Sequence, residues 1–159
     1  MIRIATAFSG IGSPEHALQL LGYEHELVFA CEIDKFARQS YKAIYGIEED
    51  KFYTDVREVD GTKYNNVDLF VWGFPCQDYS IAGKRAGLDG QRGTLFYEGA
   101  RITKEMRPKY FIAENVKGLL SSNGGEDFET IMQILRHDVG YHCTYGILNT
   151  KDYGVPPRS

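Results

Sequence analysis

Short apolar runs alternate with stretches of helical periodicity along the first part of this chain. The first run ends at Phe8, and a helix is predicted from about 13 to 21, with Ser13 as its N-cap. A second apolar run covers 27–31 and leads into a helix predicted over 34–45. Alternating strands and helices of this kind are typical of α/β proteins with a parallel sheet.

The alternation continues through the rest of the sequence. The nearly continuous apolar run at 67–72 is typical of a parallel strand that is buried on both faces. Residues 77–93 contain four glycines and scattered charges, which predicts a long loop, and long loops in compact domains are usually functional. The remaining predictions are strands at 52–53, 110–113 and 142–148, and helices at 94–106 and 128–135.

These elements predict one α/β domain over residues 1–159, built on a doubly wound, mostly parallel sheet. Ligands of such sheets bind outside the carboxyl ends of the strands. Every conspicuous motif of this sequence follows a predicted strand, so all of them are expected to converge on one crevice. The motifs are Gly10-Ile11-Gly12, Glu32, Asp55, Pro75-Cys76 and Glu114-Asn115.

Charge and composition exclude several classes of protein. A formal net charge of -4 counts against a chain that holds nucleic-acid phosphates unaided, although Lys84, Arg85 and Arg92 form a local basic group. No apolar stretch approaches the ~18 residues of a membrane span and no secretory leader is evident, so we expect a cytoplasmic protein without a membrane partner. The three cysteines lack zinc-ligand spacing, which indicates free thiols and no metal site.

The turn after the first strand suggests a nucleotide-type ligand. Gly10 and Gly12 allow the backbone to approach a ligand closely, and Glu32 at the end of the second strand can accept from both ribose hydroxyls. Together they indicate an adenosine-type cofactor. Glu15 stands where GxGxxG has its third glycine, and Pro14 removes a backbone donor from the helix start. Both disfavour binding of a pyrophosphate. The alternative is a tight turn beside a solvated glutamate.

Two acidic residues at strand ends allow a chemical role and an ordinary one. Asp55 could accept from an adenine amino group, although an Asp-Val pair after a short strand is more often a turn or cap. Glu114, followed by Asn115, could protonate or hydrogen-bond a substrate nitrogen if partial desolvation raised its pKa. A lone glutamate at a strand end is more usually a cap.

Cys76 is the candidate nucleophile. It follows Gly73-Phe74-Pro75 at a predicted strand end, where the proline fixes the backbone direction and the thiol projects toward the crevice. Such a thiol is activated by a lowered pKa or a nearby base, and Arg92 is a candidate cationic neighbour. The alternative is a buried structural thiol, which we favour for Cys31 and Cys143 because both lie inside apolar runs.

Several motifs share their order and spacing with one family. They are Ala7 to Gly12, Glu32, Asp55-Val56, Gly73 to Gln77, Arg92 to Leu95 and Glu114 to Val116. In these motifs the chain closely resembles cytosine-C5 DNA methyltransferases, and the resemblance covers essentially the whole sequence. The Pro-Cys-Gln and Glu-Asn-Val elements are highly specific, whereas many nucleotide-binding folds share the glycine turn.

The resemblance implies a Rossmann-like fold, S-adenosylmethionine as cofactor, S-adenosylhomocysteine as product, and DNA methylation of the restriction-modification type. It implies that Cys76 adds to C6 of a flipped-out cytosine while Glu114 bonds N3 and the exocyclic amine, and C5 then takes the methyl group. The loop from Asp78 to Arg92 resembles a mobile lid. The implied catalytic residues are Cys76, Gln77, Arg92, Glu114 and Asn115. The implied cofactor-binding residues are Phe8, Ser9, Gly10, Ile11, Gly12, Glu32, Ile33, Asp55, Val56, Gly73, Pro75 and Leu95; no metal is implied.

The sequence also departs from the family pattern. Many members have Asp where Thr6 stands and Gly where Ser13 stands, so the methionine end of the pocket is expected to be held differently. Pro157 and Ser159 stand where Gln and Arg are expected. No residues remain for a target-recognition region, a final strand or the C-terminal segment that completes the cofactor pocket. We therefore expect a truncated enzyme or one part of a split enzyme, with double-stranded DNA and a complementing polypeptide as partners.

Three functions stay open at this point. The first is the catalytic half of a bacterial or phage-type DNA (cytosine-5-)-methyltransferase. The second is a module that binds S-adenosylmethionine without turnover, and the third is methylation of tRNA cytosine, as in one branch that resembles this family. A cysteine-dependent hydrolase is disfavoured because all four histidines lie in predicted helices or strands, away from the strand carboxyl ends.

Overall fold

A five-stranded parallel sheet forms the centre of the chain. The computed structural model describes residues 1–75 and 95–154. The strands are β1 Ile2–Ala7, β2 His25–Cys31, β3 Phe52–Tyr53, β4 Leu69–Gly73 and β5 Tyr110–Glu114. Their order across the sheet is β3-β2-β1-β4-β5, and every neighbouring pair is parallel. The predicted mostly parallel α/β fold is confirmed.

Four α-helices accompany these strands in the described part of the chain. They are α1 Ser13–Leu20, α2 Lys35–Tyr45, α3 Leu95–Met106 and α4 Glu126–Gln133, and α4 continues into a π-helical turn, Ile134–Asp138. The side chain of Asp34 caps α2 by accepting from Ala37 N at 2.7 Å, and Gly46 ends the helix in a left-handed conformation. The helices expected near 13–21, 34–45, 94–106 and 128–135 are therefore all present.

The start of α1 differs from the prediction. Gly12, at φ 87°, occupies the N-cap position, and Ser13 is already the first helical residue with no side-chain cap. The glycine takes this position because it adopts positive φ without a Cβ penalty. The helix also turns Glu15 into the protein, where it is 1% exposed, while the apolar Leu20 and Leu21 face solvent.

The two faces of the sheet carry separate cores, because successive strand residues point to opposite sides. The larger core contains Phe29, Phe70 and Trp72 and packs against α3 and α4. Trp72 is fully buried and is the only tryptophan of the chain. The smaller core, on the opposite face, joins Ala30 to Tyr41 of α2.

The second face is covered unevenly. Its β1–β2 side lies under α1 and α2, whereas on β5 the apolar Tyr110 and Ile112 are 73% and 53% exposed. Beyond the strand, Val116 is exposed as well. The β5 side of this face is thus apolar surface that the described residues leave open.

The strand predicted at 142–148 is not formed. The structure gives these residues no ladder to a neighbouring strand, and β5 pairs only with β4 among the described residues. An apolar run becomes a strand only where a partner supplies the ladder hydrogen bonds, and here Tyr145, Ile147 and Leu148 are exposed instead. In the described ranges no helix is long and apolar enough to cross a membrane.

Candidate active site

The carboxyl ends of the five parallel strands lie along one edge of the sheet. The predicted motifs follow these strands in spatial order: Asp55 after β3, Glu32 after β2, the turn 8–12 after β1, Gly73–Pro75 at the end of β4, and Glu114–Asn115 at the end of β5. The described motifs therefore all lie at strand carboxyl ends along one edge of the sheet, as their positions after predicted strands indicated. Cys76, Gln77 and Arg92 lie outside the described residues.

Glu32 joins the ends of β1 and β2. Its Oε2 accepts from Gly10 N at 2.7 Å and its Oε1 accepts from Asp34 N at 2.8 Å. Each carboxylate oxygen has two lone pairs, so one acceptor site on each remains for a ligand. Gly10 has φ 53°, and a Cβ built there would meet nothing within 4 Å. The backbone at Gly10 is therefore open to close approach by a ligand.

Ser9 holds the glycine turn against β2. Its backbone N donates to Cys31 O at 3.0 Å, and its hydroxyl accepts from Cys31 N and donates to Cys31 O, both at 3.1 Å. The residue is buried, and its Oγ lies 2.8 Å from Thr6 Oγ1. The hydroxyl of Ser9 thus serves the fold rather than facing the open edge.

Gly12 is needed for packing, which the sequence motif alone did not indicate. A Cβ on Gly12 would lie 2.3 Å from Cε2 of Tyr45 and 3.0 Å from Cε2 of Tyr41. The hydroxyl of Tyr45 also donates to Gly12 O at 2.6 Å. Two tyrosines of α2 therefore clamp the end of the glycine turn, and Tyr45 lies 33 positions from Gly12 in the chain.

Apolar side chains surround the open part of the turn. Ile11 and Ile33 are 56% and 68% exposed, and Ile33 directly follows Glu32. Phe8 is half-buried against the larger core with φ 56°, a left-handed conformation that is uncommon outside glycine. Exposed isoleucines beside a carboxylate offer an apolar surface and hydrogen-bond acceptors together, a combination that suits a nucleoside.

Asp55 is engaged by its neighbours. It caps a short 3-10 helix by accepting from Arg57 N at 3.0 Å, and it forms an ion pair with Arg57 Nη2 at 2.6 Å. These hydrogen bonds hold the pKa of the Asp55 carboxyl below its usual value. The side chain of Val56 is buried in the larger core. Asp55 therefore has the ordinary capping role that was considered for it from the sequence.

Glu114 and Asn115 bracket the end of β4. Gly73 is paired with Glu114 across the strands, and a Cβ on Gly73 would lie 3.1 Å from Glu114 Oε2. Asn115 Nδ2 donates to Phe74 O at 2.9 Å. The exposed Pro75 follows directly. These contacts place a carboxylate and an amide beside the backbone that leads to Cys76.

Glu114 is solvent exposed, so the partial desolvation set from the sequence as a condition for its chemical role is not met among the described residues. The reason is its position on β5, an edge strand whose outer side is uncovered in the described structure. Leu95, the remaining predicted cofactor residue, begins α3 and packs half-buried against the larger core.

The two described cysteines behave as structural thiols, as predicted. Cys31 is 2% exposed, and burial above all, with the charges of Glu32 and Asp55 next, raises its pKa to about 12. Burial also raises the pKa of Cys143. Since the thiolate is the reactive form, neither residue is a candidate nucleophile at neutral pH.

Comparison with protein families gives one match over nearly the whole chain. A family model described as C-5 cytosine-specific DNA methylase matches residues 2–158.

Curated relatives have similar sequences. The orphan methyltransferase M.Rho11sI of Bacillus phage rho11s is 43% identical over 155 residues, which are 98% of this chain and 31% of the relative. The type II methyltransferase M.NgoBI of Neisseria gonorrhoeae is 38% identical over 158 residues, 99% of this chain and 48% of the relative. The chain thus spans between about a third and a half of the length of these relatives.

Two solved structures have a similar fold. Dnmt2 methyltransferase of S. pombe superposes with a TM-score of 0.72 at 23% identity, over 99% of this chain and 48% of that one. A DNMT2 mutant of Spodoptera frugiperda gives a TM-score of 0.64 at 25% identity, over 86% of this chain and 41% of that one.

Proposed function

This chain belongs to the C-5 cytosine-specific DNA methylase family, and from that premise we propose that it is the cofactor-binding and catalytic part of a DNA (cytosine-5-)-methyltransferase. The observation that carries the proposal is the arrangement of the sheet edge. The glycine turn, residues 8–12, follows β1 and is hydrogen-bonded to Glu32. The paired residues Gly73 and Glu114 end β4 and β5. Because β1 and β4 are neighbours, a cofactor held at the first would lie beside a base held at the second.

The described residues fit S-adenosylmethionine. Glu32 keeps free acceptor sites for the two ribose hydroxyls, Ile33 offers an apolar surface for adenine, and the open backbone at Gly10 leaves room for the ligand. Asp55 and Val56, which follow β3 at the same sheet edge, would contact the adenine edge. When bound, the cofactor supplies an electrophilic methyl group on a sulfonium. The remaining predicted contacts are Phe8, Ser9, Ile11, Gly12, Gly73, Pro75 and Leu95.

On the base side, Glu114 would hydrogen-bond N3 and the exocyclic amine of a cytosine turned out of double-stranded DNA. The Cys76 thiolate then forms a bond to C6, which raises the electron density at C5 so that C5 takes the methyl group. Removal of the C5 proton returns electrons to the ring and expels the thiolate. Asn115, through its bond to Phe74 O, would hold the backbone before Cys76, and Gln77 and Arg92 complete the predicted catalytic set.

Calorimetric titration with S-adenosylhomocysteine tests the cofactor half of the proposal. We expect saturable binding by the chain, and about tenfold weaker binding by Glu32→Gln, because a charge-assisted hydrogen bond to the ribose becomes a neutral one. Glu24→Gln is the matched control, since Glu24 is exposed and makes the same change of charge away from the turn. Absence of binding by the unmodified chain would refute a cofactor site.

Trapping with a 5-fluorocytosine duplex and S-adenosylmethionine tests the chemistry, because fluorine at C5 blocks the elimination that releases Cys76. We expect an adduct that Cys76→Ser does not form, either with the chain alone or when the C-terminal part of a relative is added as a complementing polypeptide. Cofactor binding with no adduct under either condition would instead favour the alternative function, a module that binds S-adenosylmethionine without turnover.

A further inference from the structure

A charged residue lies buried behind the glycine turn without a basic partner. Glu15 is 1% exposed, and both of its hydrogen bonds reach a single oxygen: Thr6 Oγ1 donates to Oε1 at 2.9 Å and the hydroxyl of Tyr41 donates to it at 2.6 Å. Its Oε2 has no hydrogen-bond partner. Within residues 1–75 and 95–154 no lysine, arginine or histidine forms an ion pair with it.

Such a residue is costly for the fold. Burying a carboxylate without a cation is strongly destabilising even after relaxation, and each unsatisfied acceptor adds to the cost. Tyr41 shows the strength of the local field, because its pKa is raised by burial first and by the charge of Glu15 next. The fold alone therefore gives no reason for a carboxylate at this position.

Short contacts connect the Glu15 carboxylate to the glycine turn. Thr6, which donates to Glu15, lies 2.8 Å from the hydroxyl of Ser9, and Ser9 is the residue before the open backbone of Gly10. Glu15 itself belongs to the first turn of α1, the helix that the glycine turn starts. Its carboxylate is thus joined through Thr6 to Ser9, the neighbour of Gly10, and lies inside protein rather than water, where charges are poorly screened.

We propose that Glu15 is a specificity-determining residue that favours the cationic cofactor over its neutral product by charge, from behind the turn. This inference rests on the proposed function. S-adenosylmethionine carries a positive sulfonium that becomes a neutral thioether in S-adenosylhomocysteine, while the rest of the two molecules is the same. A fixed negative charge therefore stabilises only the first, and the product is released more readily than the cofactor.

The test compares dissociation constants of the two ligands by calorimetry near pH 7.5, with binding rather than turnover as the readout. In Glu15→Gln we expect the preference for S-adenosylmethionine over S-adenosylhomocysteine to fall about three- to tenfold, as for one unit charge acting through protein. Tyr41→Phe keeps the charge and removes a hydrogen bond, so both affinities change together and their ratio stays. Glu24→Gln, the exposed control, leaves the ratio unchanged as well.

A second variant gives an answer if Glu15→Gln does not fold. Gln19 is exposed, lies one helical turn after Glu15 and lines the same cavity of about 340 Å³. Gln19→Lys places an ammonium four residues after Glu15 on the helix, the favourable order for a Glu–Lys pair, where it can neutralise the carboxylate. We expect it to lower the preference for S-adenosylmethionine over S-adenosylhomocysteine too. An unchanged ratio in whichever of Glu15→Gln and Gln19→Lys folds overturns the inference, whereas failure of the unmodified chain to bind either ligand overturns the proposed function instead.

Discussion

The two halves of the sheet edge differ in how firmly they are held. At the β1–β2 end, Glu32 bonds two backbone donors, Ser9 ties the turn to Cys31, and Tyr45 clamps Gly12. At the β4–β5 end, Glu114 is exposed and the apolar face of β5 is open. The end proposed to bind the cofactor is therefore organised by the chain's own hydrogen bonds, whereas the end proposed to bind the base has its carboxylate on an edge strand that the described residues leave uncovered.

The largest effect is expected for a core residue of β4. Comparing it with a residue on the exposed face of β5 tests whether only one face of the β4–β5 half is exposed to solvent. Phe70 lies on β4 in the larger core with no exposed surface, so Phe70→Ala should destabilise the chain by about 3–5 kcal/mol. Ile112→Ala, on the exposed face of β5, should cost less than about 1 kcal/mol. Urea unfolding measures both. Similar losses for the two variants would show that the exposed face is covered in solution.

The next largest effect is expected at the β1–β2 end, where Tyr41 and Tyr45 clamp Gly12. Gly12→Ala adds a Cβ 2.3 Å from the Tyr45 ring at positive φ, and we expect a loss of about 2–4 kcal/mol from backbone strain and displaced rings. Gly10→Ala is the control, because its Cβ enters open space and only the conformational cost of about 1–2 kcal/mol applies. Equal losses would mean that the tyrosines yield freely and do not hold the turn.

A smaller effect isolates one hydrogen bond of that clamp. Tyr45→Phe removes the donor to Gly12 O and keeps the ring, so the free energy of unfolding should fall by about 1 kcal/mol. Tyr23→Phe, at an exposed tyrosine, serves as the comparison in the same thermal or urea experiment. Equal free energies of unfolding for the two variants would show that this hydrogen bond does not stabilise the glycine turn.

The smallest effect concerns the opposite edge of the sheet, where Asp68 links both halves. Asp68 accepts from Arg3 N at 2.8 Å and pairs with Lys109 Nζ at 2.6 Å, and the bond to Lys109, then that to Arg3, lowers its pKa. A lowered folded-state pKa gives stability that is present above the ordinary value near 3.8 and is lost as the pH falls through the folded-state value.

We therefore expect Asp68→Asn to cost less than about 1 kcal/mol at neutral pH, and the gap to the unmodified chain to close on acidification. Urea unfolding at several pH values measures it. A gap that grows as the pH falls would contradict the sign of this contribution.

The sequence predicted features whose causes are local. The strand and helix alternation, the helix predicted over 34–45, and Glu32 at a strand end all follow from neighbouring residues. Contacts between distant residues were missed. Glu15 resembles an ordinary solvated acid in a first helical turn, and only the folded chain brings Tyr41 to it from 26 positions away.

The failed prediction at 142–148 has the same origin. Its apolar composition was correct for a strand, but a strand depends on hydrogen bonds from a neighbour that no local pattern encodes. The pairing of Asp55 with Arg57 is the opposite case, because both residues were visible in the sequence two positions apart. An Asp-Val pair after a short strand was sufficient to predict a turn or cap at Asp55, without reference to Arg57.

The position of Trp72 has an optical consequence. Trp72 is the chain's only tryptophan, and its ring packs between Phe74, Phe96 and Phe111, one residue before Gly73. All indole fluorescence therefore originates at the β4–β5 end of the sheet edge. An indole in this dry setting emits at shorter wavelength than one in water. The emission wavelength and the quenching of Trp72 fluorescence therefore report, without a label, on the strand end that leads to Cys76. They do not report directly on ligand contacts at Glu32.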